Sequence, residues 1–79
     1  MDWQDRIDSD PKVIGGKPRV RGTRIGVAFL LELFAAGWTQ EQVLDSYPHL
    51  KAEDLLAVFA FARDAAADVH LTPREEAAA

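Results

Sequence analysis

The stretch Val27-Ala28-Phe29-Leu30-Leu31-Glu32-Leu33-Phe34-Ala35-Ala36-Gly37-Trp38-Thr39-Gln40-Glu41-Gln42 decides the fold. Val27, Leu30, Leu31 and Phe34 stand at i, i+3, i+4 and i+7, the spacing of one helical face. Gly37 then marks a stop, because glycine enters the left-handed conformation that closes a helix without steric cost. Thr39 opens the next helix. Its hydroxyl suits the amide of Gln42, and the Gln42 side chain suits the amide of Thr39, a reciprocal capping box. Helix, stop, cap and helix follow in immediate succession, with helices over about 27–36 and 40–46.

The first of these helices is apolar almost all round. Phe29 and Leu33 fall outside its stripe, and Glu32 is its one charged residue. Such a helix needs cover on more than one side. A chain of 79 residues has little material for that, and a core of this size rarely supplies more than about 3–5 kcal/mol. A second copy of the chain is the simplest cover, so a homodimer is expected.

Towards the C-terminus, Tyr47-Pro48-His49-Leu50 reads as a turn, since proline cannot continue a helix. A third helix is expected over about 52–68, with Glu53 and Asp54 at its positive end and Leu55, Val58, Phe59, Ala62 and Ala66 as its core stripe. Phe61 lies off that stripe. It reads either as one tolerated exposed aromatic or as a contact point for another chain, and Leu56 and Ala60 widen the apolar surface on the second reading. Residues 71–79 are expected to form a flexible tail. Thr72, Pro73 and Glu75 carry a helix-start signal with too few residues behind it. Trp38 is expected to pack under the bundle; Trp3 is either exposed or caps a dimer seam.

Towards the N-terminus, residues 7–26 read as extended chain with turns at Asp10-Pro11 and Gly15-Gly16. Gly15-Gly16 suits a hairpin whose arms are Val13-Ile14 and Pro18 to Arg21. Lys17, Arg19 and Arg21 then share one face and Val20 points the other way. Gly22-Thr23 makes a second turn. The expected fold is mainly α: a three-helix, helix-turn-helix-like bundle with an N-terminal β-hairpin. It forms one domain over residues 1–70, with the β element at about 7–26 and the bundle at about 27–68.

Charge is unevenly distributed. The chain has 9 basic and 13 acidic residues, net −4. Residues 11–26 nevertheless carry Lys12, Lys17, Arg19, Arg21 and Arg24 and no acid. Local field rather than net charge steers a polyanion, so these five are the candidate DNA-binding residues. The alternative is that they keep a strand edge soluble and unpaired. An apolar content of 48% excludes an intrinsically disordered chain. The absence of cysteine excludes a disulfide scaffold and a thiolate site and makes the reducing cytoplasm the default. No apolar run nears the roughly 18 residues of a membrane span, and the acidic start lacks the apolar core of a signal peptide. No membrane partner is expected.

Ile7-Asp8-Ser9-Asp10-Pro11-Lys12-Val13-Ile14-Gly15-Gly16-Lys17-Pro18-Arg19-Val20-Arg21-Gly22-Thr23-Arg24-Ile25, followed by Gly37-Trp38-Thr39 and Tyr47-Pro48-His49-Leu50, resembles a small bacterial family known as domain of unknown function four-three-three. The likeness spans roughly residues 6–68. Gly26 stands where that family usually has proline, and Lys51 where it usually has a Thr or Ser cap. The resemblance implies a homeodomain-like bundle and an antitoxin of the VapB type, whose partner is a toxin with a PIN-like nuclease domain.

The second and third helices resemble a helix-turn-helix, but Glu53 and Asp54 would meet a polyanion at the end that normally reads bases. The basic strand is the better DNA candidate, as a β-ribbon paired across a dimer. Val20, Ile25, Phe29, Leu33 and Phe61 are the expected dimer or partner interface. In PIN-type nucleases acidic residues hold the metal, so an inserted arginine competes with it; Arg63 and Arg74 are the candidates for toxin binding. Gly22-Thr23-Arg24 has two readings. One is an anion site. The other, which takes precedence, is a turn in which Thr23 bonds local backbone and Arg24 pairs with Asp8 or Glu32. His49 and His70 lack metal-ligand spacing, and Asp8 and Asp10 read as a solvated turn. No catalytic residue, metal or cofactor is expected. The leading expectation is an antitoxin that neutralises a PIN-like toxin and binds operator DNA. The rivals are a stand-alone DNA-binding regulator and an oligomerisation or adaptor module that binds no DNA.

Overall fold

The computed structural model describes residues 2–72. Two short strands, β1 (Ile7–Asp8) and β2 (Arg19–Val20), precede three helices, α1 (Val27–Ala35), α2 (Gln40–Ser46) and α3 (Ala52–Ala67). Single 3-10 turns occupy Trp3–Asp5 and Ile14–Gly16. The protein is a small helical bundle with a two-stranded antiparallel sheet near its N-terminus. Among the described residues no helix is long and apolar enough to cross a membrane. Pro73, Arg74 and Glu75 lie outside the described residues.

The strands pair differently from the expected hairpin. Ile7 sits opposite Val20 and Asp8 opposite Arg19, so Val13-Ile14 is not an arm. Gly15 and Gly16 do turn the chain, with φ of 65° and 79°. Their turn is the 3-10 one, in which the Gly16 amide donates to Val13 O at 3.0 Å. The partner of β2 is chosen by burial. Ile7 joins Val20 in the core, whereas Val13 and Ile14 are only half-buried. Ile14 is also left-handed, φ 43°, a conformation that costs a β-branched residue about 1–3 kcal/mol. Its Cδ1 lies 3.1 Å from where a Cβ on Gly26 would be, so Ile14 closes over the start of α1.

The tight turn is the second one. The Thr23 amide donates to Val20 O at 3.1 Å and the Val20 amide to Ile25 O at 2.9 Å. Gly22 supplies the required positive φ of 79°. The Thr23 hydroxyl donates to Val20 O (2.7 Å) and accepts from the Ile25 amide (3.0 Å). The chain then bridges from Gly26 to Arg19, and Val27 donates to Pro18 O. The first turn of α1 is thereby stitched to the sheet.

Each helix end has a chemical cause. At the end of α1, Gly37 has φ 97°; its amide donates to Phe34 O and that of Trp38 to Leu33 O, the paired bonds of a Schellman stop. The α2 capping box forms, with Thr39 N donating to Gln42 Oε1 (2.8 Å) and Gln42 N to Thr39 Oγ1 (3.1 Å). Lys51 has no acceptor to cap α3. Asp54 takes over part of the task, accepting from the Lys51 amide at 2.9 Å through Oδ2.

The core joins every element: Ile7 and Val20 from the sheet, Val27 and Leu30 from α1, Val43 from α2, and Leu55, Ala57 and Val58 from α3, with Leu50 between helices. Full burial of one such side chain contributes about 1.5–3 kcal/mol. Three expectations are corrected. Val20 belongs to this core and is not an interface residue. Ala66 is exposed, and Ala57 and Ala60 are buried instead. Trp38 is 37% exposed rather than packed beneath the bundle.

Candidate functional site

The five cations of residues 11–26 divide into two groups. Arg19 and Arg21 bracket one carboxylate: Arg19 Nε donates to Asp8 Oδ1 at 2.9 Å, and Arg21 Nε lies 3.3 Å from Oδ2. Arg19 also donates to Thr23 O and Arg21 to Gln4 O. The Arg19 hydrogen bond, opposed by partial desolvation and reinforced by both guanidinium charges, holds the Asp8 carboxyl below its ordinary pKa. Lys12, Lys17 and Arg24 are exposed, and none forms an ion pair among the described residues. Arg24 therefore pairs with neither Asp8 nor Glu32.

One groove of about 490 Å³ lies between the Ile14 turn and α1. Ile14, Ile25, Ala28 and Phe29 form its apolar surface, and Lys17, Arg24 and Glu32 also line it. Phe29 is 42% exposed, although its ring meets Tyr47 edge-on at 5.8 Å. The other side of α1 is covered from within, where Phe34 packs on Phe59 at 4.8 Å. Leu33 is half-buried against the core. Of the five expected interface residues, Ile25 and Phe29 thus come together on one groove and Val20 does not.

Phe61 is covered by the chain itself. Trp3 meets it edge-to-face at 4.9 Å, and the Trp3 indole donates to Asp64 Oδ2 at 2.8 Å. Arg63 is exposed and its Nε donates to Asp64 Oδ1 at 2.9 Å. The Arg63 bond first, and the Trp3 bond second, lower the Asp64 pKa. Arg74, the other toxin-binding candidate, lies outside the described residues.

A second cleft, of about 530 Å³, joins the Gly22 turn to the turn between α2 and α3. It is lined by Arg21, Gly22, Thr23, Arg24, Ile25 and His49. In the sequence His49 has only its place in a turn and no metal-ligand spacing to mark it. No local pattern links it to Arg24; only the packing of the bundle against the sheet does.

A model of the family described as a protein of unknown function, DUF433, matches residues 7–62. The chain belongs to the DUF433 family. It is similar to a solved DUF433 member from Anabaena variabilis, at 38% identity and a TM-score of 0.74, covering 77% of this chain and 60% of that one. It is also 41% identical over 49 residues to the uncharacterized protein y4eO of Sinorhizobium fredii, a match covering 62% of this chain. The chain spans 22% of the length of that curated relative. Family membership and a helical bundle are thus established together, while the descriptions of these relatives assign no activity.

Proposed function

We propose that this DUF433 domain is a cytoplasmic antitoxin subunit: it associates with a second copy of itself, binds and neutralises a PIN-like nuclease toxin, and contacts operator DNA. The observation that carries the reading is the groove beside α1. Phe29 remains 42% exposed there, next to Ile25; Leu56 on α3 is exposed as well, at 49%, but lines no groove among those described. Lys17, Arg24 and Glu32 give the same groove both signs of charge, which a self-complementary two-fold contact requires. Exposed cations beside an apolar groove also suit the acidic pocket of a metal-dependent nuclease.

The DNA contact is narrower than the sequence suggested. Arg19 and Arg21 are engaged with Asp8, so Lys12, Lys17 and Arg24 carry the free charge. At the start of α3, Asp54 is occupied by Arg6 and Lys51, and Glu53 is exposed, so α3 is not the base-reading element. The test is co-expression with the product of the adjacent gene. Copurification and rescue of growth, both lost in Phe29→Glu, are expected; neither copurification nor rescue would overturn the reading.

One observation favours a second reading, an adaptor module. The Sinorhizobium relative is several times longer than the matched segment, as expected of a domain that works inside larger chains. A stable dimer that shifts no promoter DNA and binds no toxin would select it.

A further inference from the structure

We infer that the cleft between the Gly22 turn and the α2–α3 turn is an anion site that takes a phosphate group. The inference shares Arg24 with the proposed DNA contact and deepens that part of the reading, while neither toxin binding nor self-association is needed for it. Arg21, Arg24 and His49 line the cleft, and no carboxylate does. Its volume of about 530 Å³ falls within the roughly 300–1,000 Å³ of small-molecule sites. A concave surface bearing one sign of charge focuses its field on a counter-ion.

The donors are distinct. Arg24 forms no ion pair among the described residues, and its planar guanidinium matches two phosphate oxygens at once. Arg21 is anchored by Asp8 and Gln4 O; the carboxylate partly offsets its charge, so Arg21 lines the cleft as a fixed, exposed wall and Arg24 supplies the unpaired cation. The His49 ring carries at least one N–H donor in either protonation state. The backbone amides of Gly22 and Arg24 have no protein acceptor among the described residues. Thr23 contributes nothing directly, because its hydroxyl is committed to Val20 O and the Ile25 amide; it holds the turn in shape. The two amides are not consecutive, because Thr23 N between them donates to Val20 O, so each is a separate donor beside the charge-assisted contact of Arg24.

The test titrates sodium phosphate into isotopically labelled protein at constant ionic strength and follows the amides of residues 22–24 and the arginine Nε groups by NMR. Saturable shifts at those positions are expected. Arg24→Gln should weaken binding by about tenfold or more, the loss of one charge-assisted contact, and His49→Gln should weaken it too. Gln40→Glu, which lowers the net charge by the same amount at an exposed position outside the cleft, should leave it unchanged. A short DNA duplex identifies the source. If it engages the same amides and phosphate displaces it, the group belongs to a nucleic-acid backbone; if phosphate alone binds, the ligand is a small phosphorylated molecule. Shifts that never saturate, or equal weakening in Arg24→Gln and Gln40→Glu, would overturn the assignment.

Discussion

Arg6 Nη1 lies 3.0 Å from Asp54 Oδ1, and this bond ties the segment leading into β1 to the first turn of α3. Asp54 is only 8% exposed. Its second oxygen accepts from the Lys51 amide, so one carboxylate both caps a helix and locks the sheet to it. Replacing Asp54 by alanine removes both bonds and should destabilise the fold by about 2–3 kcal/mol. Neighbouring Glu53 is exposed, and Glu53→Ala should stay within about 0.5 kcal/mol. Urea denaturation with an unchanged slope checks both.

Adjacent positions on α1 should behave oppositely. Leu30 is fully buried, and Leu30→Ala should cost about 2–5 kcal/mol, most of what a domain this small has. Phe29→Ala, which loses one ring contact with Tyr47 on a part-exposed side chain, should cost clearly less than Leu30→Ala at concentrations where the chain is single, while weakening association. Thermal melting and a binding assay on the same two variants separate folding from docking.

Acid should remove one specific contribution. The Asp8 pKa is lower in the folded chain than in the unfolded one. The stabilisation is therefore present above the unfolded value, about 3.9, and is lost as pH falls through the folded value. The stability difference between the native chain and Asp8→Asn should be full at pH 7 and vanish well below pH 4. Chemical denaturation across that range reads it.

The Gly22 turn tests the backbone argument. At φ 79° an alanine is strained whatever room it has, and Gly22→Ala should cost about 1–2 kcal/mol. Its denaturation midpoint, set against that of the native chain, gives the number.

These particulars also show which features local sequence reveals. The Gly37 stop and the Thr39–Gln42 box depend on residues within one turn of each other, so their chemistry is written in the order of the chain. The partner of β2 is not. Gly15-Gly16 is a good turn in either arrangement, and only the burial of Ile7 beside Val20 selects the pairing across a long connection. That Arg19 and Arg21 share a face follows from strand alternation; that Asp8 waits opposite them follows from register alone. Trp3 and Phe61 meet across nearly the whole chain, and no periodicity signals it. The site divides in the same way. The free cations and Phe29 were readable as candidates, whereas the cleft that unites Arg24 with His49 exists only once the bundle has closed.

The central claim is that the α1 groove is a surface built for another protein chain, a second copy first of all. Sedimentation equilibrium over a wide concentration range tests it most directly, run on the native chain and on Phe29→Glu. The account predicts a native mass twice that of one chain, falling to a single folded chain in the variant. A native protein that stays a folded monomer at every concentration would contradict it.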